Sequence, residues 1–342
     1  MFRALQLGDM LVAVPALRAL RAAWPDAHLT LVGLPWVREL VQRLPWIDGF
    51  LAFPGHSGLP ERTPEPGMLD TFFAAVRALR LDLAVQLHGS GEVTNGIVSR
   101  FGARRVAGFH PGDQPCPDPR WFIAWPQRGR EAIRLLQLPL HLGAPHPGMA
   151  LELALYPEDD EAAQQLWIEA GGRPRDYICV HPGARWRSRR WPAGRFAAVA
   201  RALQARGHPV VLTGSAGEAG ALEAFRAALD VPVLDFSART TLGGLAALVG
   251  GARLLVCNDT GVSHVADALR TPSVIVCSGA DARRWQPADT RRHRLLYHDT
   301  PCRPCGHELC PTGHECALGV SVNVVVDECL RLLAAEDLRH AA

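Results

Sequence analysis

The residue types best suited to chemistry lie in the second half of the chain, where a strand-like stretch ends and Asp259–Thr260–Gly261 turns into a helix. The first N–H groups of a helix have no partner within the helix, and the helix dipole adds positive potential there. The turn therefore predicts a phosphate site, with the Thr260 hydroxyl as a hydrogen-bond donor, Gly261 allowing close approach and His264 within reach. The alternative is that Asp259 only caps the helix and that His264 is a half-buried histidine whose ring nitrogens find hydrogen-bond partners within the protein.

A second group of polar residues follows another strand, in the segment HPGARWRSRRWP. Arg185, Ser188 and Arg189 lie in this loop together with two further arginines. Guanidinium groups present paired N–H donors that suit a diphosphate, so the loop is a candidate anion-binding element. A solvated basic loop is the alternative.

A third signal is LTGSAGEAGALEAF, in which small residues follow a strand and Glu218 opens a helix. An acidic residue in that place can accept hydrogen bonds from ribose hydroxyls. Otherwise Glu218 caps its own helix. The chain has no lysine and no G-x-x-x-x-G-K-[ST] motif, and G-x-S-x-G and H-E-x-x-H are also absent from the sequence, so P-loop nucleotide hydrolysis and these hydrolase mechanisms lack support.

Four of the nine cysteines fall within a short segment, at Cys302, Cys305, Cys310 and Cys316. Four thiolates at such spacings suit a closed, tetrahedral zinc site that would be structural, since no coordination position stays open for catalysis. Free thiols, or a redox-sensitive pair at C-x-x-C, are the alternatives.

The elements that must position these residues alternate between strand-like and helix-like stretches along the chain. This alternation predicts parallel α/β architecture, in two Rossmann-like, doubly wound domains at 1–155 and 156–342. In the first domain, Asp9 lies near the N-cap of a helix over residues 10–24, and only a stub of strand precedes it, so the first strand is expected to be truncated. Residues 54–67 and 111–128 are expected to be loops, and Asp159–Asp160 to lie in the first turn of a helix.

Composition narrows the classes of function. The chain has 342 residues with 48% hydrophobic and 20% charged residues, which indicates a folded globular protein. Basic residues number 36 and acidic residues 34, a balance that argues against nucleic acid as a partner. No apolar run is long enough to span a bilayer and no signal peptide is recognisable, so a cytoplasmic location is expected.

Five segments occur in a characteristic order: the opening ALQLGDMLVAVPALRAL, the loop GARWRSRRWP, the LTGSAGE turn, the CNDTGVSHVADAL turn and the late cysteine loop. Together they resemble glycosyltransferase family nine, the ADP-heptose:lipopolysaccharide heptosyltransferases. The resemblance covers nearly the whole chain. It implies a GT-B fold, with two Rossmann-like domains facing a cleft, the acceptor on the N-terminal domain and the nucleotide sugar on the C-terminal one. It also implies inverting, metal-independent transfer of a heptose, or a related sugar, from ADP-heptose to a lipopolysaccharide core, or a similar lipid-linked saccharide, at the inner membrane face.

The resemblance carries over to single residues. Asp9, in the L-G-D turn, matches the general base for the acceptor hydroxyl. Glu218 matches the ribose contact, and the 259–264 segment matches the turn that holds the diphosphate and sugar. Arg189 stands where the family usually has a lysine, which is a departure. A catalytically silent nucleotide-sugar binder and, with less support, an NAD-dependent oxidoreductase remain as alternatives.

Overall fold

The computed structural model describes residues 1–174 and 176–341. It divides into two compact units, Met1–Leu151 and Glu152–Ala342, whereas the sequence placed the boundary after residue 155. All the strand pairs in both units are parallel within the described residues. The parallel α/β architecture expected from the alternating pattern is therefore present in each unit.

The N-terminal unit is built from short strands and helices. Its strands are β1 (Thr30–Gly33), β2 (Gly49–Ala52), β3 (Leu83–Val85), β4 (Arg105–His110) and β5 (Phe122–Ala124). Its helices are α1 (Leu7–Leu11), α2 (Val14–Ala23), α3 (Val37–Val41), α4 (Met68–Ala78), α5 (Thr94–Ser99) and α6 (Glu131–His141).

The centre of the N-terminal sheet is held by the first residues of the chain. Strands β1 and β2 pair with each other, and β3, β4 and β5 form a second set. Phe2 forms parallel bridges to Val32 on one side and to Gln86 on the other, and so joins the two sets. The Phe2 N–H donates to Val85 O at 2.8 Å and the Leu87 N–H donates to Phe2 O at 3.0 Å. The expected stub of strand is thus a single bridging residue. Its own N–H and C=O bond on the β3 side, and its neighbours bond to β1, since the Arg3 N–H donates to Val32 O and the Val32 N–H donates to Met1 O.

Two predictions for the N-terminal unit are wrong in detail. The helix expected over residues 10–24 is two helices, because Pro15 has no N–H for the bond that would continue α1 into α2. Asp9 lies inside the first turn of α1, with Gln6 at the N-cap.

The loop expected over residues 111–128 contains β5, whose Phe122–Ala124 backbone pairs with the end of β4. The segment 54–67 contains no helix or strand.

The C-terminal unit has a longer sheet with helices on both sides. Its strands are β6 (Ile178–His181), β7 (Val210–Leu212), β8 (Leu234–Asp235), β9 (Leu254–Asn258), β10 (Ser273–Val276) and β11 (His293–Leu296). Its helices are α7 (Pro157–Glu169), α8 (Ala193–Gln204), α9 (Ala219–Ala228), α10 (Leu242–Gly250), α11 (Gly261–Leu269), α12 (Ala282–Trp285), α13 (Glu315–Leu318) and α14 (Val322–Ala341). Asp159 and Asp160 lie in the first turn of α7, as predicted.

Strand order in the C-terminal sheet determines where a ligand can bind. The order in the described residues is β8-β7-β6-β9-β10-β11. The chain winds from β6 toward one edge of the sheet and from β9 toward the other, so the order reverses between these two strands. Both strands are fully buried, as central parallel strands covered on two faces must be. A crevice is expected at the carboxyl ends of β6 and β9, where the connecting loops diverge.

Candidate functional site

The loops that follow β6, β7, β9 and β10 meet at one end of the C-terminal sheet. This end, called the switch-point edge below, consists of residues 182–191, 213–218, 259–264 and 277–281. Every residue that the sequence nominated for nucleotide-sugar binding lies in these loops, because parallel strands release their chains at the same end of the sheet.

The turn after β9 leaves its helix start open. Thr260 is the N-cap of α11, with extended backbone angles, and its side chain makes no capping hydrogen bond. Instead, its carbonyl accepts from the Ser263 hydroxyl at 2.7 Å. The N-cap position is therefore Thr260 and not Asp259. Gly261 occupies the first helical position, so the N–H groups that open α11 receive no cap from the Thr260 side chain and suit an anion.

His264 lies in the first turn of α11 and is buried, at 5% exposure. Burial lowers the pKa of its imidazole to about 4. The ring centroid lies 6.0 Å from that of Trp285. At neutral pH His264 is thus uncharged, and it can offer the anion a hydrogen bond but no positive charge.

The arginines after β6 differ in how far their guanidinium groups are hydrogen-bonded within the protein. The Arg189 guanidinium lies 5.4 Å from the Trp186 ring centroid, and its Nε is buried without a hydrogen-bond partner among the described residues. Arg185 is exposed. Arg190, in contrast, donates from Nε to Ala184 O at 2.7 Å. This hydrogen bond links two residues of the same loop. Arg189 is the guanidinium whose burial leaves a hydrogen-bond donor for a ligand.

Ser188 has contacts that its predicted role did not anticipate. It is buried at 1% exposure, and its hydroxyl donates to His307 O. Its N–H donates to Glu308 O at 2.9 Å. Ser188 therefore anchors the arginine loop to the cysteine-rich segment, and its hydroxyl is already engaged.

Glu218 completes a capping box with Ser215 on the short 3-10 turn Ala216–Glu218 and is held ionised. It also occupies the N-cap position of α9, but its side chain makes no capping hydrogen bond there. Its Oε2 accepts from the Ser215 N–H and hydroxyl, both at 2.8 Å, and lies 3.4 Å from His181 Nε2. Burial alone would raise the pKa of Glu218, but the hydrogen bonds from His181 and Ser215 outweigh it and hold the pKa at about 2. Oε1 accepts no hydrogen bond in the described part of the chain. It lies against Gly183, where an added Cβ would come within 2.3 Å.

Sequence reasoning missed the residue that joins these loops. Asn258, fully buried at the end of β9, donates from Nδ2 to Pro182 O at 2.8 Å and to Gly183 O at 3.1 Å. Its Oδ1 accepts from the Trp191 N–H at 2.8 Å. One amide thus ties the start and the end of the arginine loop to the central strand. A polar residue closing an otherwise apolar strand was the available signal.

The cysteine-rich loop packs on the switch-point edge. Cys302 is exposed, Cys305 and Cys310 are half-buried and Cys316 is buried. Backbone N–H groups of residues 312–314 lower the pKa of the Cys310 thiol. No group of three or more His, Cys, Asp or Glu within the described residues is arranged to hold a metal ion. Zinc binding by this loop stays a prediction.

In the N-terminal unit, Asp9 is half-buried near the carboxyl ends of the strands. The buried Arg3 donates from Nε to Asp9 O at 2.8 Å and from Nη1 to Leu87 O. Arg3 therefore joins α1 to the end of β3, and sequence reasoning gave it no role. Beside it, burial and then the Arg3 charge lower the pKa of His88 to about 3.

Comparison with known proteins identifies the family to which the chain is similar. Residues 127–315 match the family model "Glycosyltransferase family 9 (heptosyltransferase)". The chain is 26% identical over 306 residues to lipopolysaccharide heptosyltransferase 2 of Escherichia coli K12, covering 85% of each chain.

Two solved structures show the same fold. Glycosyl transferase family 9 of Veillonella parvula superposes with a TM-score of 0.82 at 20% identity, covering 98% of this chain and 96% of that one. The ADP-heptose lps heptosyltransferase II of E. coli gives 0.73 at 21% identity, covering 98% of both chains. The α/β fold with parallel sheets is confirmed. No helix of the described residues is long and apolar enough to cross a bilayer.

Proposed function

The chain belongs to glycosyltransferase family 9, the heptosyltransferase family, and from that membership we propose that it transfers a heptose from ADP-heptose to a lipopolysaccharide core saccharide. The proposal includes inversion at the anomeric carbon and no catalytic metal ion. Two observations carry it: the buried Arg189 Nε has no hydrogen-bond partner among the described residues, and the Thr260 side chain does not cap the start of α11. An anion at the switch-point edge would satisfy both groups.

The donor nucleotide sugar binds at the switch-point edge in this proposal. The N–H groups at Gly261, the Thr260 hydroxyl and the Arg189 guanidinium contact the diphosphate, and exposed Arg185 adds positive charge at its border. Neutral His264 contributes a hydrogen bond. The Oε1 of ionised Glu218 accepts from the ribose hydroxyls. Ser188 acts by holding the loop that carries Arg189.

The reaction itself needs a base and a stabilised leaving group. The acceptor hydroxyl attacks the anomeric carbon of the heptose as its proton passes to the Asp9 carboxylate. The new bond from the anomeric carbon to the acceptor oxygen forms while the bond to the phosphate oxygen breaks. ADP leaves with the electron pair. Arginine and backbone N–H groups stabilise the charge that develops on the diphosphate, the task that a divalent cation performs elsewhere.

The acceptor is proposed to be a lipid-linked saccharide met at the inner face of the membrane. Support for this step comes from family membership and the named relatives. Membership in a transferase family favours turnover over the silent-binder alternative and gives the oxidoreductase alternative no support.

A thermal-shift and calorimetric panel with ADP, UDP, GDP and NAD tests the donor site first, because a ligand that binds only the folded chain raises its melting temperature. We expect selective stabilisation by ADP. Turnover with ADP-heptose and a lipopolysaccharide core acceptor then tests transfer, by release of ADP. Stabilisation by NAD alone, or by none of the four, would contradict the proposal. ADP binding without transfer would support the silent binder.

A further inference from the structure

The cysteine-rich loop is fastened to the switch-point edge at several points. The Cys305 N–H donates to Gly279 O at 2.7 Å. His314 Nε2 lies 2.9 Å from Ser188 O. A Cβ at Gly279 would lie 3.1 Å from both Cys305 Cβ and Ser188 O. The loop thus closes over the segments that follow β6 and β10.

This closure brings Arg303 to the edge. Its Nη2 donates to Ala280 O at 2.9 Å and to Cys277 Sγ at 3.4 Å, while Nη1 donates to His298 O at 2.8 Å. A guanidinium has five N–H donors, so two remain for a ligand. No carboxylate oxygen lies within 4.0 Å of Arg303 in the part of the chain that the structure describes. Its charge is therefore held in place without a paired anion.

Arg303 shares its surroundings with the proposed diphosphate site. Cys277 Sγ, which accepts from Arg303, lies 3.7 Å from Asp259 Oδ2. Burial and then Asp259 raise the pKa of the Cys277 thiol, whereas Arg303 and Arg189 both act to lower it. The Arg303 guanidinium and the Asp259 carboxylate thus both contact the Cys277 thiol, and the charge of Arg189 acts on the same thiol from a separate loop. Because these three groups carry an excess of positive charge, an anion would be attracted there.

We propose that Arg303 is a second cation of the diphosphate site, so that the cysteine-rich loop 300–316 forms part of the donor site. The inference rests on the proposed function for the identity of the ligand. Arg189 approaches the diphosphate from the loop after β6 and Arg303 from the side of β10. Together they oppose the charge that builds on the departing diphosphate.

Calorimetry on the full chain tests this, with ADP, adenosine and inorganic pyrophosphate as ligands. We expect Arg303→Gln to weaken ADP and pyrophosphate binding about tenfold, as loss of a charge-assisted hydrogen bond implies, and adenosine binding less than twofold. Arg303→Lys keeps the charge and should recover most of the affinity. Arg291→Gln, which removes an exposed arginine from the turn before β11, is the matched control and should bind as the unmodified chain does.

The outcomes separate the inference from the proposed function. If Arg303→Gln binds ADP within twofold of the unmodified chain, Arg303 is outside the site. Equal losses for ADP and adenosine, with a lowered melting temperature and no recovery in Arg303→Lys, would mean that Arg303 only supports the loop, which also overturns the inference. Pyrophosphate binding that depends on Arg303, without ADP binding, would retain the cation site and reject the proposed function. Binding of neither would reject both.

Discussion

The carboxyl ends of the two sheets differ in how their polar groups are engaged. In the N-terminal unit, buried Gln86 donates from Nε2 to His88 O and to Thr94 Oγ1, both at 2.6 Å, and its Oε1 accepts from the Phe109 N–H at 3.2 Å. In the C-terminal unit, Arg189 and Arg303 keep N–H donors that no described residue accepts. At the first edge, called the N-terminal platform below, a buried amide is bonded to the backbone of the unit itself. At the second, the switch-point edge, two arginines keep N–H donors that suit the proposed anion.

The central strands explain part of this difference. In the C-terminal unit β6 and β9 form a continuous buried pair, joined at their ends by Asn258. In the N-terminal unit one bridging residue, Phe2, holds the centre, and the Arg3 side chain adds bonds from α1 to the end of β3. Where the central strand is this short, the Arg3 side chain thus adds bonds that fix the backbone.

The sharpest test of the contrast is Asp9→Asn. The change removes the proposed base from the N-terminal platform but leaves the donor site intact, so kcat should fall about 1,000-fold with an unchanged ADP dissociation constant. Steady-state kinetics of ADP release and calorimetry measure the two quantities. Asp26→Asn, an exposed carboxylate of the same unit, is the control. Unchanged turnover in Asp9→Asn would exclude Asp9 as the base.

A smaller effect is expected from Gly183→Ala at the switch-point edge. The new Cβ would lie 2.3 Å from Glu218 Oε1, so the carboxylate must move away from its present position. We expect ADP affinity to drop by roughly 10- to 30-fold, as hydrogen bonds to a charged group are lost. Gly194→Ala on α8, where the nearest contact is Ala228 Cβ at 3.7 Å, should change little. Equal ADP affinity in both variants would remove Glu218 from the site.

Paired substitutions of the two buried amides compare the units directly. Asn258→Leu and Gln86→Met each leave buried backbone groups without a partner, which should cost roughly 2–3 kcal/mol in unfolding free energy. Only Asn258→Leu should also weaken ADP binding, because Asn258 positions the Arg189 loop. Urea titrations and ADP calorimetry on both variants provide the comparison. If Gln86→Met weakened ADP binding as strongly, the division of roles between the units would be wrong.

The smallest expected effect concerns acid stability of the N-terminal platform. Folded His88 has a pKa of about 3, against about 6.5 when unfolded, so the unfolded chain takes up the proton first as pH falls. Stability should therefore decline below pH 6.5, by roughly 2 kcal/mol at pH 5 from this one group. In His88→Asn that part of the decline should vanish, because the asparagine amide does not take up a proton in this pH range. Its oxygen can still accept from the Ala4 N–H, so the fold at pH 7 should be kept.

Urea midpoints at pH 7, 6 and 5 measure the slope for His88→Asn and for His28→Asn, an exposed histidine of the same unit. The His28 variant should keep the slope of the unmodified chain. An identical slope in the His88 variant would show that His88 does not contribute to acid sensitivity.

Much of the fold followed from local pattern. Apolar stretches such as LLVCN predicted buried strands, and the residues after them correctly located the turn that opens α11. Strand β5 was missed because Phe122–Ala124 is too short to show periodicity among prolines and aspartates, and it exists only through pairing with β4. The predicted helix after Asp9 was too long because apolar spacing continues across Pro15 while the hydrogen bonds do not.

By itself, the sequence determined the parallel α/β order and the residue types at the strand ends, because both depend on near neighbours along the chain. The tertiary structure decided which of those polar groups remain available. Ser188 is engaged by His307, and Arg303 reaches Cys277, across long stretches of sequence. Whether a polar group finds a hydrogen-bond partner depends on residues distant in sequence, so no local pattern predicts it.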